Sequence, residues 1–354
     1  MKWDDDLTLT NAPRYRGTLQ LAMFVLHLSM GHTLYCRSIR LATIIKYVDA
    51  AASFLALFGP VAHDYRKNSN RDTKNSPILQ NIYNDLKRYE KQSTRREAYD
   101  TKMLEHLCGE IEKHKLDIDT QEVALSDWYT CGLFMGLRLT EWAQEANKWE
   151  PTTPLRDIYG STKALCIGDF NYETSARHRL TALEAATFQG PDSDIERCWV
   201  MFRTQKNGQN HEKKMFVRNI NTKGRCFIAT SLRIIRRFIR LRGNNDTTTP
   251  LALYRNQAGE TALVTATAIE KNMRATAAAV YKIKKDDELQ LWSAHSLRVG
   301  ACNSLHAMGF SPSEIKWTLR WRSDSFMDYL RNTHVMATKQ NRVLDEGSAM
   351  PNFL

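Results

Sequence analysis

The sequence predicts a mixed α+β protein, mostly helical, with a small antiparallel sheet in the second of two domains. Apolar residues recur at helical spacing over most of the chain, strand-like runs are few and clustered between residues 164 and 220, and a polar, basic segment at 65–96 separates two apolar regions. At 354 residues the chain is long enough for two domains and at least one large core.

Residues 17 to about 60 read as helical. In "SIRLATIIKYVDAAASFLALFG", Leu41, Ile44, Ile45, Val48, Ala52 and Leu55 share one face, and Gly59-Pro60 ends the pattern. The run "LQLAMFVLHLSMGHTLYC" is the most apolar stretch, but Gln20, His27 and His32 interrupt it, so it reads as a buried helix rather than a membrane span. A short helix is expected near 77–91 and a linker at 92–97, giving domains at 1–92 and 93–335 and a tail at 336–354.

The second domain opens with helices. Asp119 and Glu122 are expected to cap "VALSDWYTCGLFMGLRLTEWAQEANKW", and Gly132 and Gly136 divide it in two, with Arg138 near the start of the second half. "ALCIGDF" at 164–170 reads as a strand. "RCWVMFRTQ" at 197–205 alternates and "KKMFVRNI" at 213–220 answers it, a hairpin with Lys206 at its turn. "FIATSLRIIRRFIRLRG" is an amphipathic helix with Ile228, Leu232, Ile235 and Ile239 inward and Arg233, Arg236, Arg237 and Arg240 outward, closed by Gly243. That arginine stripe is either a solvated face or a track for a DNA backbone. Further helices are expected in "TATAIEKNMRATAAAVYKI", in "SAHSLRVGACNSLHAM" up to Gly309, after the Ser311-Pro312-Ser313-Glu314 start signal, and from "FMDYLRNTHVM" onward.

Lys plus Arg outnumber Asp plus Glu by 50 to 39, a formal charge of +11 that suits a polyanionic partner, most simply nucleic acid. Seven scattered cysteines, none in a C-x-x-C pair, argue against a zinc ribbon and a secreted disulfide framework and point to a reducing compartment. The acidic start "MKWDDDLTLT" does not read as a signal peptide.

The residues with chemistry come in a fixed order: Arg138 and Glu141 in "GLRLTE", Lys206 in "TQKNG", His295 and Arg298 three apart, then Trp321 and Tyr329 in "LRWRSDSFMDYLR". Singly, each has an ordinary structural explanation: a core tyrosine, a core tryptophan, a solvated turn lysine. In this order and spacing they resemble the tyrosine recombinases, the phage-integrase family, over roughly residues 93 to 335. The "QKNG" and "LRWRSDSFMDYLR" segments look most like the branch carried by Crypton- and DIRS-type mobile elements. The first domain is similar in length and place to the family's core-binding domain.

The resemblance implies a DNA recombinase that clamps duplex DNA between the two domains. Tyr329 would attack a phosphate to give a 3′-phosphotyrosyl link, and Arg138 and Arg298 would hold the charge that builds on the phosphate oxygens, as two planar donor forks suit. A helix N-terminus at Arg138 would add its dipole. His295 would hydrogen-bond the phosphate and relay a proton, Lys206 would protonate the leaving 5′ oxygen, Trp321 would donate one hydrogen bond and pack the site, and Glu141 would orient its neighbours. No metal, ATP or other cofactor is implied. The implied partners are double-stranded DNA and three further copies, a homotetramer on two sites. The implied location is intracellular, with DNA, and the nucleus in a eukaryotic host. Two departures stand out: Leu319-Arg320-Trp321 occupies the place where a glycine commonly precedes the His/Trp position, and an insert runs from about 171 to 196. The alternatives are a type IB topoisomerase-like enzyme and a non-catalytic DNA-binding protein that kept the fold.

Overall fold

The computed structural model describes residues 14–32, 39–58, 64–67, 75–90, 95–143, 162–203, 211–219, 225–243 and 246–330. The chain divides into two compact units, Met1–Thr94 and Arg95–Leu354.

The first unit is helical: α1 (Arg14–Ser29), α2 (Leu41–Phe58) and α3 (Pro77–Tyr89). Leu21, Val25, Ile44, Val48, Leu79 and Tyr83 meet in its core, as the helical spacing predicts. The expected single helical region is thus two helices, with Ile39 and Arg40 outside both. Ser76 caps α3 by accepting from the Leu79 N–H at 3.4 Å, with Pro77 at the first helical position. No helix among the described residues is long and apolar enough to cross a membrane.

The second unit runs α4 (Thr101–Lys113), α5 (Gln121–Met135), α6 (Leu139–Trp142), β1 (Phe170–Thr174), β2 (Arg179–Thr181), α7 (Ala182–Ala186), β3 (Ile195–Phe202), β4 (Glu212–Val217), α8 (Phe227–Arg242), β5 (Leu253–Arg255), β6 (Thr261–Leu263), α9 (Ala266–Tyr281), α10 (Asp286–Leu289), α11 (Ser296–Ala307) and α12 (Pro312–Leu319), then a 3-10 helix, Asp324–Tyr329. Helix α5 is buried almost all round, with Trp128, Tyr129 and Cys131 in the main core. It packs against α4, α8 and α11. Gly132 does not break it, since the glycine admits Leu297 of α11 close to the backbone. Gly136 does end it, in a left-handed conformation (φ 57°).

The sheet is antiparallel with strand order β2-β1-β3-β4. The β3–β4 register sets Cys198 against Phe216 and Val200 against Lys214. Cys198, Val200 and Phe202 face the core, as the alternation predicts. Two expectations fail here. Residues 164–169 are not a strand: Ile167–Asp169 form a 3-10 turn, closed where the Asp169 carboxylate accepts from the Cys166 N–H at 2.8 Å, and β1 begins only at Phe170. The region read as an insert supplies β1, β2 and α7, so it builds half the sheet.

The cap of α5 also differs. Its N-cap is Thr120, while Asp119 turns away to pair with Arg240 at 2.6 Å. The expected capping pair with Glu122 therefore does not form, because an ion pair competes for Asp119. The last expected helix is a 3-10 turn through Tyr329, and its continuation beyond 330 lies outside the described residues. The α12 start signal forms as read: Ser311 Oγ accepts from the Glu314 N–H at 3.3 Å and Glu314 accepts from the Ser311 N–H at 2.7 Å.

Helix α11 is held against the strand-like segment before α4. The Tyr99 N–H donates to the Ser296 carbonyl at 3.0 Å, and a Cβ at Gly300 would overlap the Tyr99 carbonyl oxygen. Gly300→Ala should therefore destabilise the second unit by about 2–4 kcal/mol, the scale of core overpacking against a backbone that cannot yield. Urea denaturation of the two proteins side by side measures it.

Candidate functional site: a guanidinium-lined cleft

Arg138, His295, Arg298, Trp321 and Tyr329 line one cleft of about 710 Å³ in the second unit, together with Leu139, Thr140, Glu270, Ser293, Ala294, Arg322, Ser323 and Ser325. They come from the α5–α6 turn, the start of α11, the end of α12 and the 3-10 turn after it. Lys206 belongs to the connection between β3 and β4 and lies outside the described residues.

Arg298 is the most enclosed of the set, at 1% exposure. Its Nη1 donates to the Gly136 carbonyl and its Nη2 to the Leu319 carbonyl at 2.9 Å. These carbonyls sit at the C-terminal ends of α5 and α12, where the helix dipoles place partial negative charge. Among the described residues, two helix ends rather than a carboxylate in ion-pair contact hold this cation. Its Cζ lies 4.2 Å from the centroid of the Trp321 ring, a cation–π contact. Burial, and then the neighbouring charge of Arg138, pushes the Arg298 guanidinium down to about 9, against the pull of Glu141, so it stays charged at neutral pH. Gly136 is required here twice over: its φ is positive, and a Cβ would sit 2.7 Å from Leu319 Cδ2.

Arg138 precedes α6 and is tied to Glu141. The carboxylate accepts from the Arg138 backbone N–H at 2.9 Å and from its Nη1 at 2.9 Å. Arg138 is the N-cap of α6, which has only four residues, and its own N–H is taken by Glu141. Glu141 also accepts from Arg320, at 3.3 Å from Nη1 and 3.0 Å from Nη2. Burial alone would raise the Glu141 carboxyl, but Arg320 and Arg138 together hold it below the ordinary glutamate value of 4.5. The orienting role expected of Glu141 thus has a physical basis, and Arg320, read in the sequence only as a departure, is its principal partner.

The aromatic side of the cleft is compact. The Tyr329 ring centroid lies 5.2 Å from that of His295 and 5.2 Å from that of Trp321. Phe326 on the same 3-10 turn is buried among Ala301, Cys302, Ile315 and Leu319, which anchors the segment while leaving Tyr329 at the cleft. Arg298 Nε and Trp321 Nε1 are buried and have no hydrogen-bond partner among the described residues. The same holds away from the cleft for Trp128 Nε1, Trp142 Nε1 and Arg237 Nη1.

The arginine stripe on α8 does not behave as expected. Arg237 is buried, with 1% of its side chain exposed, and pairs with Asp127 of α5. Arg233, Arg236 and Arg240 are partly exposed but bind Asp127 at 2.7 Å, Asp192 at 2.6 Å and Asp119 at 2.6 Å. The expected outward placement is thus corrected for Arg237, because α8 lies against carboxylates from α5, from the α5 N-terminus and from the turn before β3, while Arg233, Arg236 and Arg240 stay partly exposed beside their carboxylates. These forks fasten α8 to its neighbours.

No protein-family model matches the chain, and no curated protein does. Among solved structures, it is similar to the XerH site-specific recombinase bound to palindromic difH substrate (14% identity over 94% of this chain and 72% of that one, TM-score 0.44). It is also similar to the Tn1549 transposon integrase in complex with transposon right end DNA (10% identity, 92% and 85%, TM-score 0.45) and to XerA recombinase (13% identity, 94% and 93%, TM-score 0.38).

The Glu141 pairing fixes a pH dependence. A folded-state value below the unfolded one gives stability that is fully present above the unfolded value and is lost as pH falls through the folded one. Glu141→Gln should cost about 3–5 kcal/mol at pH 7, since it removes the one negative charge that the buried Arg320 and Arg138 share. The gap to the native protein should narrow as pH drops below 4.5, read from urea midpoints of both proteins between pH 7 and pH 3.

Proposed function

We propose that the chain cuts and rejoins DNA strands through a covalent 3′-phosphotyrosyl intermediate, as a site-specific recombinase or integrase. One observation carries the reading: Arg138, His295, Arg298, Trp321 and Tyr329, spread over almost two hundred residues of sequence, line a single cleft. Its chemistry suits a phosphodiester. Arg138 and Arg298 both line the space, and guanidinium forks suit the oxygens of an anion.

In this reading the Tyr329 oxygen attacks phosphorus, the bond from phosphorus to the 5′ oxygen breaks, and the DNA 3′ end is left on the tyrosine. His295, beside Tyr329, takes the phenol proton, and Lys206 gives a proton to the departing 5′ oxygen. Attack by a 5′ hydroxyl on the phosphotyrosine reverses each step. The bond energy is conserved in the link, so the cycle needs no ATP. Arg138 and Arg298 stabilise the pentavalent phosphate in both directions, and Trp321 packs the Arg298 fork in place.

Covalent trapping on nicked suicide duplexes drawn from DNA flanking the gene tests this reading. The native protein should give a denaturation-resistant protein–DNA adduct, and Tyr329→Phe should give none while still binding. DNA binding without an adduct across a broad pool of duplexes would contradict it and favour a non-catalytic DNA-binding protein. Relaxation of supercoils without sequence preference would instead favour a topoisomerase. Arg138→Ala should slow adduct formation about 10²–10³-fold, the usual cost of one transition-state donor. Affinity for duplex should fall steeply between 50 and 200 mM salt, as about 6–10 phosphate contacts require, measured by fluorescence anisotropy.

A further inference from the structure

We infer that Arg320 is a positioning residue of this site, an arginine standing in a glycine's conformation so that its side chain locks Arg138 through Glu141 while its backbone turn sets the contacts of Arg298. The inference rests on the strand-transfer reading above. Arg320 is the residue after α12 and has φ 58° and ψ 50°, the left-handed region that favours glycine at a helix C-terminus. A side chain there costs on the order of 1–2 kcal/mol. Lys115, Arg177, His211 and Lys282 also take positive φ, so the backbone alone does not single Arg320 out; the surroundings of its guanidinium do.

The Arg320 side chain is fully buried. It donates to both Glu141 oxygens and, at 3.2 Å, to the Met135 carbonyl. Its Cζ lies 3.5 Å from the centroid of Phe202, the last residue of β3. One fork therefore joins the end of α5, the carboxylate that holds Arg138, and the strand that leads to Lys206. Its backbone does a second task. The left-handed turn at Arg320 sets Leu319 so that its carbonyl accepts from Arg298 and sets Trp321 so that its ring covers Arg298. Glycine would keep the turn and lose the fork. Lysine would keep the charge but cannot donate in a planar fork to a carboxylate and a carbonyl together.

The turn and the fork can therefore be separated by experiment. In single-turnover trapping at saturating protein, Arg320→Gly should form the adduct about 10–100-fold more slowly than native. Its affinity for the same duplex should stay within about threefold, since Arg320 is enclosed and meets no DNA. Arg320→Lys should fall between the two. Combined with Glu141→Gln, the glycine change should add little further slowing, because both act through the same carboxylate. Melting curves recorded for every variant confirm the folded fraction. A folded glycine or lysine variant that cleaves at the native rate overturns the inference and leaves the strand-transfer reading intact. Full additivity of the two changes overturns it as well, and so does loss of fold in both single variants, which would make Arg320 purely structural. Absence of an adduct from the native protein removes the strand-transfer reading, and this inference with it.

Discussion

A buried guanidinium held by two helix ends, with no carboxylate in contact among the described residues, organises the second unit. Taking a cation out of water is expensive, and Arg298 is nevertheless enclosed. The ends of α5 and α12 offset that cost by pointing carbonyls at it, and Trp321 covers its face. For both helix ends to reach one side chain, α5 must stop at Gly136 and α12 must turn at Arg320. Leu319 then fits against Gly136 with no room for a Cβ. The two stops, the packing between them and the orientation of Arg298 are a single constraint.

The same arrangement shapes the electrostatics of the cleft. Arg138, Arg298 and Arg320 gather near Glu141, so the cluster carries more positive than negative charge. Helix dipoles neutralise only in part, because each contributes a fraction of a charge. In the proposed reaction, the phosphate would complete the balance. The arginines of α8 make the contrast: all four are paired with carboxylates of the second unit, Arg233 and Arg237 sharing Asp127, so they hold elements together.

Much of the cleft was legible in the sequence. His295 and Arg298 are three apart at a helix start, so local spacing puts them together, while Trp321 and Tyr329, a further helix along the chain, were joined to them by the resemblance to the tyrosine recombinases. The hairpin was legible because alternation at 197–202 reports burial directly. Arg320 was not, because its left-handed backbone is invisible in the letter R, and the departure from glycine had no meaning until Glu141, Met135 and Phe202 were seen around it. Arg237 misled for a related reason. A helical wheel shows which face is basic, but not that Asp127 of a distant helix lies behind that face. The strand expected at 164–169 failed because Asp169 bonds the backbone of Cys166 and bends an apolar run into a turn.

The central claim is that this cleft holds a phosphodiester between Arg138 and Arg298 with Tyr329 facing phosphorus. A crystal structure of the Tyr329→Phe protein bound to a duplex that it recognises tests it most directly. The account predicts a backbone phosphate within hydrogen-bond distance of both guanidiniums, with the ring at position 329 beside it. A duplex bound elsewhere on the protein, with no phosphate in the cleft, would contradict it.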